Sequence, residues 1–168
     1  MAALTEFCAQ ILPLLVFAVA IGGWLFVPRR DKGRLAVRAI VGLTLTAALV
    51  LLAGFVHEDP RPFVVDPSHP ALFTHPADNG FPSDHTAYAA AIALLVALVK
   101  PRLGVALLGL SVVAGLARVG ANVHHIQDVV GGLLIAAVAV TLTTLLLSRI
   151  RSQRPATYDV TDPGQVSG

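Results

Sequence analysis

Charged side chains are scarce in this sequence. Lys, Arg, Asp and Glu make up 13% of its 168 residues, where a soluble domain normally carries about a quarter. That leaves too little polar material to coat a globule in water. A lone cysteine, Cys8, excludes an internal disulfide. Aromatic residues are few, and no basic run is interleaved with them, so the chain has nothing with which to bind nucleic acid.

What the chain has instead is long apolar runs, and 55% of its residues are hydrophobic. Five blocks stand out, at roughly Ile11–Val27, Leu35–Val56, Ser83–Val99, Leu103–Val119 and Val129–Leu147. A helix crossing the hydrocarbon core needs about 20 apolar residues, so the third and fourth blocks lie at the short end. The fold expected is an all-α, polytopic transmembrane helix bundle of about five spans. Small residues such as Gly104, Gly109, Gly115, Gly131 and Gly132 would let the helix backbones approach closely.

Charge placement orients the bundle. Arg29, Arg30, Lys32, Arg34 and Arg38 follow the first block, Lys100 and Arg102 lie between the third and fourth, and Arg149, Arg151 and Arg154 follow the fifth. Five alternating spans put all of these on one side, which the positive-inside rule makes cytoplasmic. The N-terminus is then outside and the C-terminus inside. Met1–Gln10 carries no Lys or Arg, and the positive cluster follows the first apolar run, the reverse of a secretory signal. The first block is therefore expected to be a retained span. Residues 1–152 are expected to form one membrane-embedded domain, and 153–168, polar with Pro155, Pro163 and Gly164, a disordered cytoplasmic tail.

The outward side gathers the ionisable groups. His57–Pro82, Gly120–Gln127 and the helix ends they join hold all six histidines. They also hold Arg61 and Arg118, the two cations that break the charge rule, and ionisable groups at a membrane boundary against that bias mark a functional site. Three clusters stand out. In Asp59-Pro60-Arg61-Pro62-Phe63, two prolines restrict where the guanidinium points; alone, this reads as a rigid loop with a solvated Arg. In Phe81-Pro82-Ser83-Asp84-His85-Thr86, Ser83 is a plausible N-cap, and the free amides of the first turn can hold an anion; a plain helix cap with an interfacial His competes about evenly. In the third, Arg118 is followed by His124 and Asp128. A histidine and a carboxylate four apart share one face of a helix, so Asp128 can hold one ring nitrogen and aim the other. That makes His124 a nucleophile or a base, or else half of an interfacial cap. His125 has Val129 in the corresponding position. Taken together, two arginines, helix amides and two histidines supply a phosphate clamp with nucleophile and acid, and no component requires a metal.

Read in order, Arg61-Pro62, Pro82-Ser83-Asp84-His85 and Arg118-x5-His124-x3-Asp128 resemble the three motifs of the type 2 phosphatidic acid phosphatase superfamily, in its membrane branch. The segment Asp78–His85 is similar to the bacitracin-resistance type of undecaprenyl pyrophosphate phosphatase. Two positions depart from the pattern: Gly54 stands where the motif has Lys, and Ala117 where it has Ser. The resemblance implies an enzyme without cofactor or metal, a hydrolase of undecaprenyl pyrophosphate yielding undecaprenyl phosphate and phosphate. It implies that His124 attacks phosphorus to form a phosphohistidine, oriented by Asp128, and that His85 protonates the leaving oxygen. Arg61, Arg118, Ser83 and the amide of Asp84 would bind the phosphoryl oxygens. It further implies a bacterial cytoplasmic membrane with the site facing outward. Competing readings are a phosphatase for another lipid phosphate (phosphatidylglycerol phosphate or phosphatidic acid), a non-catalytic binder of a pyrophosphate lipid, and a small transporter with a histidine metal site drawing on His57, His69 and His75. Oligomeric state is not legible in the chain.

Overall fold

The computed structural model describes residues 1–152, so the expected tail at 153–168 lies outside the described residues. The described chain is all helical: α1 Ala2–Leu25, α2 Arg29–Val56, the one-turn α3 Pro62–Val65, α4 Asp84–Ala97, α5 Pro101–Gly120 and α6 Ile126–Ser152. Helices α1, α2, α5 and α6 are each long and apolar enough to cross a membrane. The third expected span, α4, is only 14 residues, about 21 Å at 1.5 Å per residue against a hydrocarbon core of roughly 30 Å.

The basic cluster expected to form a connection after the first block is instead wound into the first turns of α2, because no proline follows Pro28 in that stretch and the single Gly33 costs a helix only about 1 kcal/mol. Pro28 sets the extended N-cap backbone there, and only Phe26–Pro28 remains between the two helices.

Short α4 is the hub of the bundle. It packs against α1, α2, α5 and α6, and its Ala87, Ala89, Ala90, Ala91 and Ala93 are buried. Alanine suits this place because two backbones can approach where neither carries bulk, and packing of small residues holds membrane helices together. Two alanine-rich seams result. Ala89 and Ala93 meet Val16 of α1 and Leu107 of α5, while Ala90 and Ala91 meet Ala136 and Val140 of α6. Bulk points the other way: Leu14, Phe17, Leu51, Phe55, Leu134 and Leu145 are among the many exposed large hydrophobics, as expected of a surface that lipid solvates.

Four of the five glycines expected at close approaches are where they need to be. A Cβ on Gly104 would lie 2.3 Å from the Ala97 backbone, and one on Gly132 would lie 2.7 Å from the Ser83 carbonyl; Gly115 and Gly131 are similarly tight against Val129 and Phe81. Gly109 is the correction, since it faces open space. Buried hydroxyls inside the bundle are satisfied by their own helices: Thr46, Ser111 and Thr143 each donate to the carbonyl four residues earlier.

Candidate active site

All three sequence clusters come together at the end of the bundle formed by the N-termini of α4 and α6 and the C-terminus of α5. Helix α5 ends in a Schellman motif: Val123 N–H bonds the Arg118 carbonyl and Asn122 N–H bonds that of Val119. Asn122 takes the left-handed conformation this turn demands, at φ 61°; asparagine tolerates it better than most residues. The reversal points the Val123 carbonyl and the His124 ring inward.

His124 and Asp128 do pair, Nδ1 to Oδ2 at 3.2 Å with both side chains buried. The means differs from the one expected. His124 lies before α6 rather than on it, and Asp128 closes the helix start by accepting the backbone N–H of His125 at 2.7 Å, half of a capping box. With Nδ1–H donating to Asp128, Nε2 carries the lone pair, and it faces Arg61 Nη1 at 3.4 Å. Burial pushes the His124 pKa down, Asp128 opposes that shift, and the two arginines add to it. A neutral imidazole with an outward lone pair is the state in which histidine acts as a nucleophile.

Arg61 is buried and held on several sides. Its Nε donates to Asp78 at 2.8 Å, Nη1 to the Val123 carbonyl at 2.9 Å, and Nη2 to the Asn79 carbonyl at 3.4 Å. Arg118, also buried, donates through Nη2 to His75 Nε2 at 2.9 Å and through Nη1 to the Ala9 carbonyl at 3.4 Å, while its Nε has no partner among the described residues. Since an arginine only donates, His75 must accept at Nε2 and carry its proton on Nδ1, which points at the Pro76 carbonyl. Burial first, and the cations Arg61 and Arg118 after it, lower the pKa of His75 and favour this neutral form.

At the start of α4, Ser83 occupies the N-cap position but makes no side-chain cap; its buried Oγ pairs with Thr86 Oγ1 at 3.0 Å. Asp84 accepts from the backbone N–H of His85 at 2.7 Å and contacts His85 Nδ1 at 2.8 Å. Its carboxylate also lies within electrostatic reach of Arg118. His85 is exposed, and none of its hydrogen bonds reaches Arg61, Arg118 or His124. The seven sequence-derived residues thus fall into a buried group (Arg61, Ser83, Arg118, His124, Asp128) and an exposed Asp84–His85 pair on the rim.

Four further residues shape this end of the molecule. Asn79 clamps the two ends of the long loop: Oδ1 accepts from the amides of Asp59 and Phe81, and Nδ2 donates to the carbonyls of Gly54 and His57, all between 2.9 and 3.0 Å. Asp78 anchors Arg61, and His75 covers Arg118. Asp59 reaches 66 residues along the chain to His125 Nδ1 at 3.0 Å, so His125 does have an acid partner, though from another segment. The run Asp78-Asn79-Gly80 adjoining the second motif was the available signal for the first two; Asp59 opens the first cluster, but nothing local pairs it with His125, or His75 with Arg118.

Gly54, where the motif has Lys, sits at a tight contact. A Cβ there would lie 3.1 Å from the Phe81 carbonyl, under the loop that Asn79 pins down. The described residues also contain one group with metal-ligating chemistry: Asp59, His125 and Asp128 offer ligand atoms within 4.8 Å of one another. Asp128 Oδ1 has no partner among the described residues, although its Oδ2 is already engaged by His124 and His125.

Comparison with known proteins places this geometry. The profile of the PAP2 superfamily matches residues 35–152, which include all seven residues. The chain is 31% identical to the undecaprenyl-diphosphatase BcrC of Bacillus subtilis (strain 168), over 80% of this chain and 67% of the relative. It is 32% identical to the bacitracin transport permease protein BcrC of Bacillus licheniformis, over 66% of this chain and 55% of that relative. It therefore spans about two thirds and about half the length of those two proteins. Among solved structures, LpxE of Aquifex aeolicus superposes with a TM-score of 0.69 at 25% identity, covering 85% of this chain and 86% of that one. A PAP2-type phosphatidylglycerolphosphate phosphatase from Bacillus subtilis shares the fold, with a TM-score of 0.56 at 21% identity over 90% and 77% of the two chains. With its apolar helices and its three motifs gathered at one end of the bundle, the chain is an integral membrane protein that belongs to the PAP2 superfamily of lipid phosphatases.

Proposed function

We propose that the protein hydrolyses undecaprenyl pyrophosphate to undecaprenyl phosphate and inorganic phosphate. The observation that carries this reading is the His124 ring, fixed on Asp128 at one nitrogen and turning the other toward Arg61 at 3.4 Å. Likeness to a named undecaprenyl-diphosphatase supports the choice of lipid.

In this reading Nε2 of His124 attacks the terminal phosphorus, and the bond to the bridging oxygen breaks as His85 gives that oxygen its proton. The lipid monophosphate leaves and a phosphohistidine remains. His85 then takes a proton from water, whose oxygen attacks the same phosphorus; the P–N bond breaks and inorganic phosphate departs. Arg61, Arg118, Ser83 and the amide of Asp84 hold the phosphoryl oxygens, and Asp84 keeps the His85 ring in place. Charged donors aimed at the developing charge typically supply 100-fold to 1000-fold each. The reaction uses no metal.

The same charge argument as before sets the orientation. Arg29 to Arg38, Lys100, Arg102, Arg149 and Arg151 all stand at the ends of helices opposite the candidate site. The site then faces outward in a bacterial cytoplasmic membrane, with the N-terminus outside, the C-terminus and tail inside, and α4 counted as a fifth, short span reached by bilayer thinning.

The test is phosphate release from polyprenyl diphosphate by the purified protein in excess chelator, with His124→Ala beside it. Activity that resists chelator and disappears in the variant supports the reading. Binding without release makes the protein a lipid binder, and chelator sensitivity assigns a role to Asp59, His125 and Asp128. Phosphatidylglycerol phosphate and phosphatidic acid in the same assay rank the alternative lipids, the first being suggested by the phosphatase that shares this fold.

A further inference from the structure

Helices α1 and α2 are joined by only three residues and meet chiefly beside that turn, where Trp24 Nε1 donates to the Lys32 carbonyl and Lys32 Nζ to that of Leu25. α1 packs on α4 and α5, and α2 on α4 and α6, so the two splay apart on either side of α4. Between them, at the end of the bundle away from the catalytic residues, lies a cleft of about 350 Å³, within the size range of small-molecule sites. Phe17, Ile21 and Trp24 form one wall, Ala36 and Leu43 the other, and Leu95 of α4 lies in the floor. Apart from its two cations the lining is almost wholly apolar.

Those cations are the informative part. Arg38 and Lys100 both line the cleft. Among the described residues the buried Arg38 Nε has no hydrogen-bond partner, and no ion pair joins either side chain to an acid. A buried, unpaired guanidinium donor next to hydrocarbon is costly, and its natural complement is an anionic oxygen. An apolar slot with two cations at its membrane-surface end matches an amphiphile with an anionic head and a hydrocarbon tail.

We propose that this cleft is a second lipid site, separate from the catalytic one, that takes one acyl chain of an anionic phospholipid and holds its phosphodiester headgroup with Arg38 and Lys100. The lipid fills the gap that opens between the two helices beyond their turn and so ties α1 and α2 to the α4 hub. Its headgroup sits a full α4 length, about 21 Å, from Ser83 and His85, too far to be hydrolysed. The site depends only on the bundle and its membrane setting, not on the identity of the substrate.

Native mass spectrometry of the full chain, with dioleoylphosphatidylglycerol and dioleoylphosphatidylcholine as probes, tests this. The anionic lipid should bind about 30-fold more tightly, the order expected for two cations near a lipid surface, and the double variant Arg38→Gln/Lys100→Gln should erase the preference. Gly23 lines the cleft, and a Cβ added there meets nothing within 4 Å, so Gly23→Phe should block the tail and remove binding of both lipids without disturbing the helix seams. Equal affinity for the two lipids, or phosphatidylglycerol binding unchanged by Gly23→Phe, overturns the proposal. Phosphatidylglycerol with a photoreactive acyl chain gives a readout on the unaltered protein. Labelling of α1 and α2 at the cleft walls is expected; labelling only of the outward Leu and Phe faces also overturns it.

Discussion

Arg118 donates to the backbone carbonyl of Ala9 in a neighbouring helix, an acceptor that an uninterrupted helix would not offer. In α1 the carbonyl of Ala9 would bond the amide of residue 13, but residue 13 is Pro, which has no N–H. The freed oxygen turns to the guanidinium at 3.4 Å. A proline in the middle of an apolar helix thus helps to position a cation of the candidate site. Pro13→Ala should raise the thermal midpoint, because proline in a helix interior is costly. It should lower kcat/KM by up to about tenfold, as the restored amide competes for Ala9 and loosens a charge-assisted bond. Arg118→Ala, by contrast, should cost about 100-fold to 1000-fold in turnover. Thermal unfolding and phosphate release on the same preparations separate the two effects.

The two imidazoles of the third motif region should behave very differently. His124→Ala should reduce phosphate release to background, whereas His125→Ala, which loses the bond to Asp59, should leave measurable turnover and lower stability by about 1–3 kcal/mol. Trapping the enzyme with labelled substrate and an alkaline denaturing quench gives a second readout: the base-stable, acid-labile phosphoryl label should persist in His125→Ala and vanish in His124→Ala.

Activity should hold to lower pH than an ordinary histidine base allows. Burial and the nearby arginines push His124 below its ordinary value of 6.5, so the neutral, attacking form survives into mildly acidic solution and is lost only as pH falls through the lowered value. The same shift has a stability consequence of definite sign. Between the lowered value and 6.5 the unfolded chain binds more protons than the native one, so His124 makes stability fall as pH drops below about 6.5. A pH profile of kcat/KM, which reports the free enzyme, paired with thermal midpoints across the same range, checks both.

Asn79 is expected to be the most sensitive loop position. Asn79→Ala strips four hydrogen bonds that hold the ends of the loop against α2, leaving partly buried groups without partners at about 1–3 kcal/mol each before water intervenes. Asn79→Asp keeps an acceptor for Asp59 and Phe81 but presents a second oxygen to two carbonyls, so it too should lose activity. Gly54→Lys should lower the thermal midpoint slightly, since the Phe81 carbonyl, in the loop that Asn79 holds, must shift by a few tenths of an ångström to admit a Cβ.

The sequence was legible where its signals were local or carried by spacing. Apolar block length revealed the helices, and the Arg118–His124–Asp128 spacing revealed the pair at the heart of the site. It was misleading where a neighbour decided the outcome. The basic cluster after Pro28 reads as a connection because charge is usual there, yet its one glycine, Gly33, is too weak a breaker to stop the helix. Gly109 looked like a packing glycine, but only its partner's position could decide that. His75 and Asp59 owe their places to contacts spanning dozens of residues, and such pairings leave no trace in local pattern. His85 stands on the rim beside Asp84, whose carboxylate meets its Nδ1 at 2.8 Å, and no spacing rule foretells that exposure.

The alanine and glycine seams around α4 make this protein respond to mutation inside out. In a water-soluble globule, trimming a large interior side chain is the damaging change, and exterior positions tolerate almost anything polar. Here the interior has little left to trim, so the harmful substitutions are those that add a methyl group or two at Gly104, Gly132, Ala90 or Ala136. Exchanges of Leu for Phe or Ile on the outer surface should pass unnoticed, and a single charge placed among them should not.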